Sequence, residues 1–259
     1  MPKVTKYEPG TPSWVDLGSP DPSASADFYT KLFGWSASVA EDPAAGGYTM
    51  LELNGEAVAG LGPLMTEGQP PAWTTYVSVA DADATVAAVK GAGGMVFMEP
   101  FDVLDVGRMA IFADPTGAVC AIWQPKAHIG AAVVNEPGAL CWNELATRDI
   151  ETAKTFYGAV FGWKGDTQDM DGMTYTSWML GDKPVGGMME MGSDFPAEVP
   201  PHWLAYFAVT DADATVAKAQ KLGASVPVPA TDIPPGRFAV IADPHGAAFA
   251  VIKMNPMPT

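Results

Sequence analysis

The chain carries the same text twice. Trp14-Val15-Asp16-Leu17 returns 128 residues later as Trp142-Asn143-Glu144-Leu145. Asp21, Phe28-Tyr29 and Phe33-Gly34-Trp35 return at the same spacing as Asp149, Phe156-Tyr157 and Phe161-Gly162-Trp163. The run from Asp81 to Ala87 recurs from Asp211 to Ala217, Gly107-Arg108 as Gly236-Arg237, and Asp114-Pro115 with Gly117 as Asp243-Pro244 with Gly246. The spacing drifts by only two residues across a whole repeat, so the copies differ by small loop changes. A period of this length marks two tandem domains, each large enough for its own core. We place them at residues 8–126 and 139–256, joined by a linker over 127–138.

Within each copy the pattern is strand, helix, strands, repeated once more. An alternating strand covers 13–18, and a helix opens at Asp21 with an acidic N-cap and a proline in its first turn. Ala24, Phe28 and Leu32 form the helix's apolar stripe, and Gly34 is placed to end it. Residues 48–53 and 57–61 flank Asn54-Gly55, a strong hairpin signal. After Pro70-Pro71 the pattern restarts: a strand over 73–79, a helix over 82–90, and strands near 95–99, 108–113 and 118–124. Asp114-Pro115-Thr116-Gly117 supplies the last tight turn. The fold class is α+β, with four βαβββ units in the chain.

Composition narrows the function classes. The chain is 48% hydrophobic and 17% charged, as in folded globular proteins. Fourteen basic against 30 acidic side chains give a net charge of −16, which repels nucleic-acid phosphates and anionic lipid. No leader-like opening or membrane-length apolar run is seen, so a cytoplasmic location is expected. Cys120 and Cys141 lie in apolar strand-like stretches and read as buried free thiols.

The order of these features, strand, Asp, Phe-Tyr, Phe-Gly-Trp, then Gly-Arg and Asp-Pro-x-Gly, resembles the vicinal-oxygen-chelate superfamily. That superfamily includes glyoxalase I, extradiol dioxygenases, and bleomycin- and fosfomycin-resistance proteins. The two-copy layout is similar to tandem glyoxalase-like proteins of actinobacteria that carry the label "hydroxylase". The resemblance implies cup-shaped mixed sheets with helices outside, each cup holding a ligand and usually a divalent metal. It also implies where the metal's ligands would stand. The first-strand positions fall on Trp14, Thr74, Trp142 and Leu204. The late-strand positions fall on Ala121 and Ala250, and near Gly60–Leu61 and Gly186–Met188. None of these offers an O, N or S donor suited to a divalent ion. We therefore expect no metal and no cofactor, and with them the loss of the family's Lewis acid.

Strand alternation proposes what lines the cups instead. Trp14 and Asp16 share a face in the first copy, and Trp142 and Glu144 share one in the second. Thr74, Tyr76, Ser78 and Trp123 follow by parity, as do Leu204 and Tyr206. The tryptophans either line a ligand cavity or belong to ordinary core or to the interface between the copies. Asp16 and Glu144 are the candidate acid/base residues, because a carboxyl among aromatic rings is desolvated. An equally weighted reading pairs Asp16 with Arg108 and Glu144 with Arg237, and a third has these arginines hold an anionic ligand. His202 is within reach of the second cup, His128 reads as a solvated linker residue, and His245 as a turn residue. Met188, Met189 and Met191 read as edge or interface packing.

Three functions follow. The first is a metal-independent protein that binds an aromatic natural product or antibiotic for resistance, carriage or biosynthetic support. The second is a metal-independent enzyme, catalysing an isomerase, cyclase or lyase step or assisting a hydroxylation, with Asp16 or Glu144 as acid/base. The third is a protein-interaction scaffold with filled or collapsed cups. The partner expected is a small aromatic ligand, with no nucleic acid and no membrane. The chain is expected to be a monomer, its four units forming a pseudo-dimer, or a homodimer.

Overall fold

The computed structural model describes residues 3–170, 173–193 and 195–256. The first copy contains β1 (Pro12–Ser19), α1 (Pro22–Phe33), β2 (Ser36–Val39), β3 (Thr49–Leu53) and β4 (Glu56–Pro63). It continues with β5 (Ala72–Ser78), α2 (Ala82–Gly91), β6 (Met95–Val103), β7 (Gly107–Ala113) and β8 (Val119–Pro125). The second contains β9 (Leu140–Thr147), α3 (Ile150–Phe161), β10 (Lys164–Met170), β11 (Met173–Leu180) and β12 (Lys183–Glu190). It continues with β13 (His202–Ala208), α4 (Ala212–Lys221), β14 (Ser225–Ile233), β15 (Gly236–Ala242) and β16 (Ala248–Met254).

Local signals set the element ends. The Asp21 carboxylate accepts from the Ala24 N–H at 3.0 Å, and Gly34 closes α1 at φ 76°, a left-handed conformation that costs a residue with a Cβ. Asp149 and Gly162 do the same for α3. Asn54 and Gly55 both take positive φ between β3 and β4, as a two-residue hairpin turn requires. Strand β2 has no counterpart in the sequence reading. All four of its residues are exposed, so no apolar alternation marks it.

Each copy forms one eight-stranded mixed sheet, ordered β2-β3-β4-β1-β5-β8-β7-β6 and β10-β11-β12-β9-β13-β16-β15-β14. The central strands of each sheet run antiparallel, β1 beside β5 and β9 beside β13, and each pairs in parallel on its other side. One face of each sheet carries its helices, and the other forms the cup. The two helix-bearing faces meet: α1 touches α4, α2 touches α3, and β5 touches β13. Val15 and Leu17 therefore share one apolar core with Ala205, Phe207 and Phe249 of the second copy. Val77 and Phe112 share another with Phe156, Trp178 and Met188.

The recurring motif residues hold this contact together. The Trp35 indole donates to the Gly138 carbonyl at 2.7 Å, and the Trp163 indole donates to Gly10 at the same distance. Tyr29 receives the Trp73 indole N–H and donates to Asp243 across the interface, both at 3.0 Å. Tyr157 receives the Trp203 indole N–H at 2.8 Å, with the Asp114 carboxylate close enough to raise its pKa. Thr75 donates to Asn143 between the central strands at 2.8 Å. Buried polar groups of this kind are tolerated where they are satisfied, as the indoles of Trp35, Trp73, Trp163 and Trp203 are.

The segment between β8 and β9 does more than connect. Ala131 N–H donates to Ser13, Ala132 N–H donates to Ala57, and Val4 N–H donates to Ala132, so the segment lies along β1 and β4. Ala131 and Val134 pack on the cup face of the first sheet. Among the described residues no helix is long and apolar enough to cross a membrane.

Candidate functional site

Alternation places Trp14 on the cup face with Tyr76, Ala121 and Trp123, while Val15 and Leu17 enter the interdomain core. In the second cup Trp142 packs with Leu204, Tyr206, Ala250, Phe238 and Val240. The tryptophans therefore lie apart from the interface between the copies.

A four-residue cluster occupies the floor of each cup. In the first, the Trp14 indole N–H donates to the Tyr48 hydroxyl at 3.0 Å. Tyr48 and Tyr76 donate to the same Asp16 oxygen at 3.3 and 2.8 Å. In the second, the Trp142 indole donates to the Tyr175 hydroxyl at 2.9 Å, and Tyr206 donates to Glu144 Oε1 at 2.7 Å. The Tyr175 hydroxyl lies near enough to Glu144 to lower its pKa. Tyr48 and Tyr175 escaped the sequence reading. The available signal was joint recurrence, since Tyr48 with Gly60 and Tyr175 with Gly187 repeat at one spacing.

The glycines explain the geometry. A Cβ on Gly60 would run into the Tyr48 hydroxyl, and one on Gly187 into the Tyr175 hydroxyl. These glycines pair with Asp16 and Glu144 across β4–β1 and β12–β9. The phenols thus fill the space a metal-binding side chain would need in that window. Among the described residues no three His, Cys, Asp or Glu side chains converge. A lone carboxylate with two phenols and an indole does not fit a divalent ion's demand for several converging donors.

Burial raises the Asp16 carboxyl to about 6, against the pull of its two phenol hydrogen bonds. Burial likewise raises Glu144, opposed by Tyr206 and Tyr175. Both carboxyls are therefore shifted upward, the direction that suits a group holding and releasing a proton, and Asp16 reaches the range where it does so near neutrality. The tyrosines are held well above their ordinary range by burial first and the neighbouring carboxylate second, so they remain donors.

Two expectations are corrected here. Asp16 does not meet Arg108, nor Glu144 Arg237. Arg108 sits on the helix side of β7 and forms a two-pronged pair with Asp83 at 2.9 Å, with Asp102 at 3.6 Å. Arg237 pairs with Asp213 at 2.6 and 2.9 Å and with Asp232 at 3.1 Å. Parity is the reason: Met109, one residue on, faces the first cup, so Arg108 faces away. His128 is not a solvated linker residue. Its ring packs edge-on against Trp14 at 4.6 Å and faces Trp123 at 5.8 Å, with Nε2 buried and unpartnered. Burial pushes its pKa down to about 4.

The remaining candidates are dispersed. Thr74 is half-buried beside Asp16, and Ser78 is buried next to Trp123. The Trp123 indole is tied to the His128 carbonyl at 2.7 Å. His202 opens β13 with Nδ1 2.9 Å from the Pro200 carbonyl. His245 lies in its turn, its backbone N–H donating to Asp243 at 2.9 Å. Cys120 and Cys141 are free thiols, the first buried and the second partly so.

The cups differ in what covers them. In the first, His128, Ala131 and Val134 lie on the floor, and Trp14 is 3% exposed. In the second, Trp142, Tyr175, Phe238 and Val240 are only half-buried. A cleft of about 170 Å³ opens beside Trp142 and Cys141, bounded across the way by Tyr7, Pro12 and Val134.

Paired βαβββ units forming two cups, with helix-bearing faces joined, define a class of fold. The chain belongs to the glyoxalase/bleomycin resistance protein/dioxygenase superfamily, whose profile matches residues 11–122 and again 132–251. It is 49% identical over 262 residues to "Putative glyoxylase CFP32" of Mycobacterium tuberculosis, spanning 99% of each chain. It is 46% identical over 266 residues to "Anthracycline biosynthesis protein DnrV" of Streptomyces peucetius, spanning 97% of this chain and 96% of that one. Its fold is shared with the Mn(II)-bound glyoxalase from Novosphingobium aromaticivorans, at a TM-score of 0.62 and 15% identity over 96% of this chain and 86% of that chain. It is shared too with 2,2',3-trihydroxybiphenyl 1,2-dioxygenase from Sphingomonas wittichii, at a TM-score of 0.65 and 14% identity over 95% and 91%.

Proposed function

We propose that this protein binds a planar aromatic small molecule in its second cup without a metal, for resistance, carriage or the support of a biosynthetic enzyme. One observation carries the reading. The same indole–phenol–carboxylate cluster is built in both cups, yet the first is roofed by the linker while the second keeps Trp142 and Phe238 half-open. An aromatic wall beside a few fixed polar groups suits a flat organic ligand. The relative named for anthracycline biosynthesis supports a polycyclic aromatic ligand. The scaffold reading needs filled cups, and the first cup meets that description while the second does not.

Native mass spectrometry of untagged protein with a panel of planar aromatic polyketides, followed by denaturing analysis of what is bound, tests this directly. An unchanged organic ligand at one per chain and no stoichiometric metal is the expected result. Stoichiometric Zn, Mn, Fe or Ni overturns metal independence, and failure to bind any compound favours a scaffold.

The raised carboxyls in contact with phenols favour a second reading, acid/base catalysis by Glu144 or Asp16. A chemically altered compound in the same experiment supports it. Glu144→Gln would then abolish turnover while keeping affinity.

A further inference from the structure

We propose that the second cup selects planar ligands that are neutral or cationic and carry their own hydrogen-bond donor, a phenolic hydroxyl or an amine, and that it rejects carboxylates, sulfonates and phosphates. The inference rests on the second cup being a binding site, and it follows from counting hydrogens. Two of the cluster's donors, the Trp142 N–H and the Tyr206 hydroxyl, are spent inside it. The Trp142 N–H goes to the Tyr175 oxygen, and the Tyr206 hydroxyl goes to Glu144. A phenol has one hydrogen, and Tyr206 has committed its own to Glu144. About two of the roughly four acceptor directions on Glu144 stay open, and the Tyr206 oxygen keeps a lone pair.

The neighbouring groups repeat the bias. The Cys141 thiol donates to the Tyr206 carbonyl at 3.3 Å. A carbonyl can only accept, so His202 spends its Nδ1 hydrogen on Pro200. Ser177, on the same face of β11 as Tyr175, keeps a hydroxyl that can serve either role.

Among the described residues no cation offsets the carboxylate. Arg237 is committed to Asp213 and Asp232 on the helix side, and Arg148 to the Pro196 and Val199 carbonyls at 3.0 and 2.8 Å. The influences on Glu144 are burial and two phenols, with no basic group among them. An anionic ligand would meet a buried acidic side chain with no cation beside it, an arrangement that disfavours binding. A ligand bringing a donor satisfies acceptors the cup leaves open. The first cup holds an internal precedent, because the ring lodged on Trp14 is the neutral imidazole of His128.

The test uses one planar scaffold with varied substituents. The full chain is titrated at about pH 6.5, where phenols keep their proton. Tryptophan quenching is cross-checked by equilibrium dialysis. The probes are 2,6-dihydroxyanthraquinone, 2-aminoanthraquinone, unsubstituted anthraquinone, anthraquinone-2-sulfonate and anthraquinone-2-carboxylate. The hydroxyl and amino probes should bind at least about tenfold tighter than the parent and the two anions. Glu144→Gln puts an amide donor in the same place and should narrow the gap to the sulfonate below about threefold.

Anions binding as tightly as the donors in the unaltered chain, or a ranking unmoved in a folded Glu144→Gln protein, would overturn the proposal. Trp142→Ala separates the two levels of the argument. If binding depends on Trp142 but anions win, the cup remains the site and its selectivity is misassigned. If no probe binds, or binding ignores Trp142, the site reading falls and takes the selectivity with it.

Discussion

Asp16 and Glu144 hold equivalent places with side chains that differ by one methylene, and each has two phenols beside it. That repetition argues for a selected arrangement, since a carboxyl is costly to bury and two copies keep it. Asp16 yields a prediction with a definite sign. Its pKa of about 6 in the folded chain exceeds the ordinary value of 3.8, so the folded state holds a proton that the unfolded state has released between those values. Its contribution to stability is therefore fully present below about pH 4 and is lost as pH rises through about 6. Asp16→Asn removes that dependence. The difference in unfolding free energy, variant minus parent, should rise by about 2–3 kcal/mol between pH 4.5 and pH 7.5. Urea unfolding at both pH values measures it, and a flat difference would show that Asp16 titrates normally. Parity alone found Trp14, Asp16 and Tyr76, because alternation is a property of the backbone. It could not find Tyr48 or Tyr175, which reach the carboxylates diagonally across a hairpin.

At the scale of elements, the bare backbone of β4 and β12 is what admits the phenols. Gly60→Ala and Gly187→Ala each place a methyl where a tyrosine hydroxyl now sits. The ring must swing away, breaking the indole–phenol–carboxylate chain, at a cost of roughly 1–3 kcal/mol from overpacking. Thermal unfolding should register that loss in both variants. Ligand affinity should fall in Gly187→Ala alone, and an equal fall in Gly60→Ala would show that the first cup also binds. The N-caps give a simpler expectation. Asp149→Ala removes the acceptor for the Thr152 N–H and hydroxyl and should cost about 1 kcal/mol of stability in chemical denaturation.

Across the whole molecule, the motif residues that repeat most faithfully are not in the cups. Tyr29, Trp35, Asp114, Tyr157, Trp163 and Asp243 all serve the contact between the copies. Tyr29→Phe strands the Trp73 N–H and loses the bond to Asp243 inside a dry interface. It should cost about 2–4 kcal/mol by urea unfolding, well above an exposed Tyr→Phe change. Residues 139–256 expressed alone would uncover Phe207, Phe249, Trp178 and Trp203. That fragment is expected to self-associate in analytical ultracentrifugation, and a well-behaved folded monomer would refute the coupling of the two cores.

The tandem architecture, the helices with their caps, the Asn54-Gly55 hairpin and the cup face of each central strand were all legible from the residues. Each depends on spacing within a few positions or on a repeat, and both survive in one dimension. The exposed strand β2 was illegible because burial writes the pattern and β2 buries nothing. The arginines were misplaced for a related reason: charge complementarity suggests partners, but strand parity decides which side a guanidinium can reach. The recurrence of Asp83 with Arg108 and of Asp213 with Arg237 held the correct pairing. Only the folded chain could show the linker lying over the first cup. A segment placed as a connection becomes a roof when Gly130 and Ala131 come against Ser13 and bring His128 onto Trp14. Sequence by itself determined that two cups exist and which residues floor them. Tertiary packing decided that the linker lies over one cup, because that depends on where a distant segment lies in space, and no local spacing encodes it.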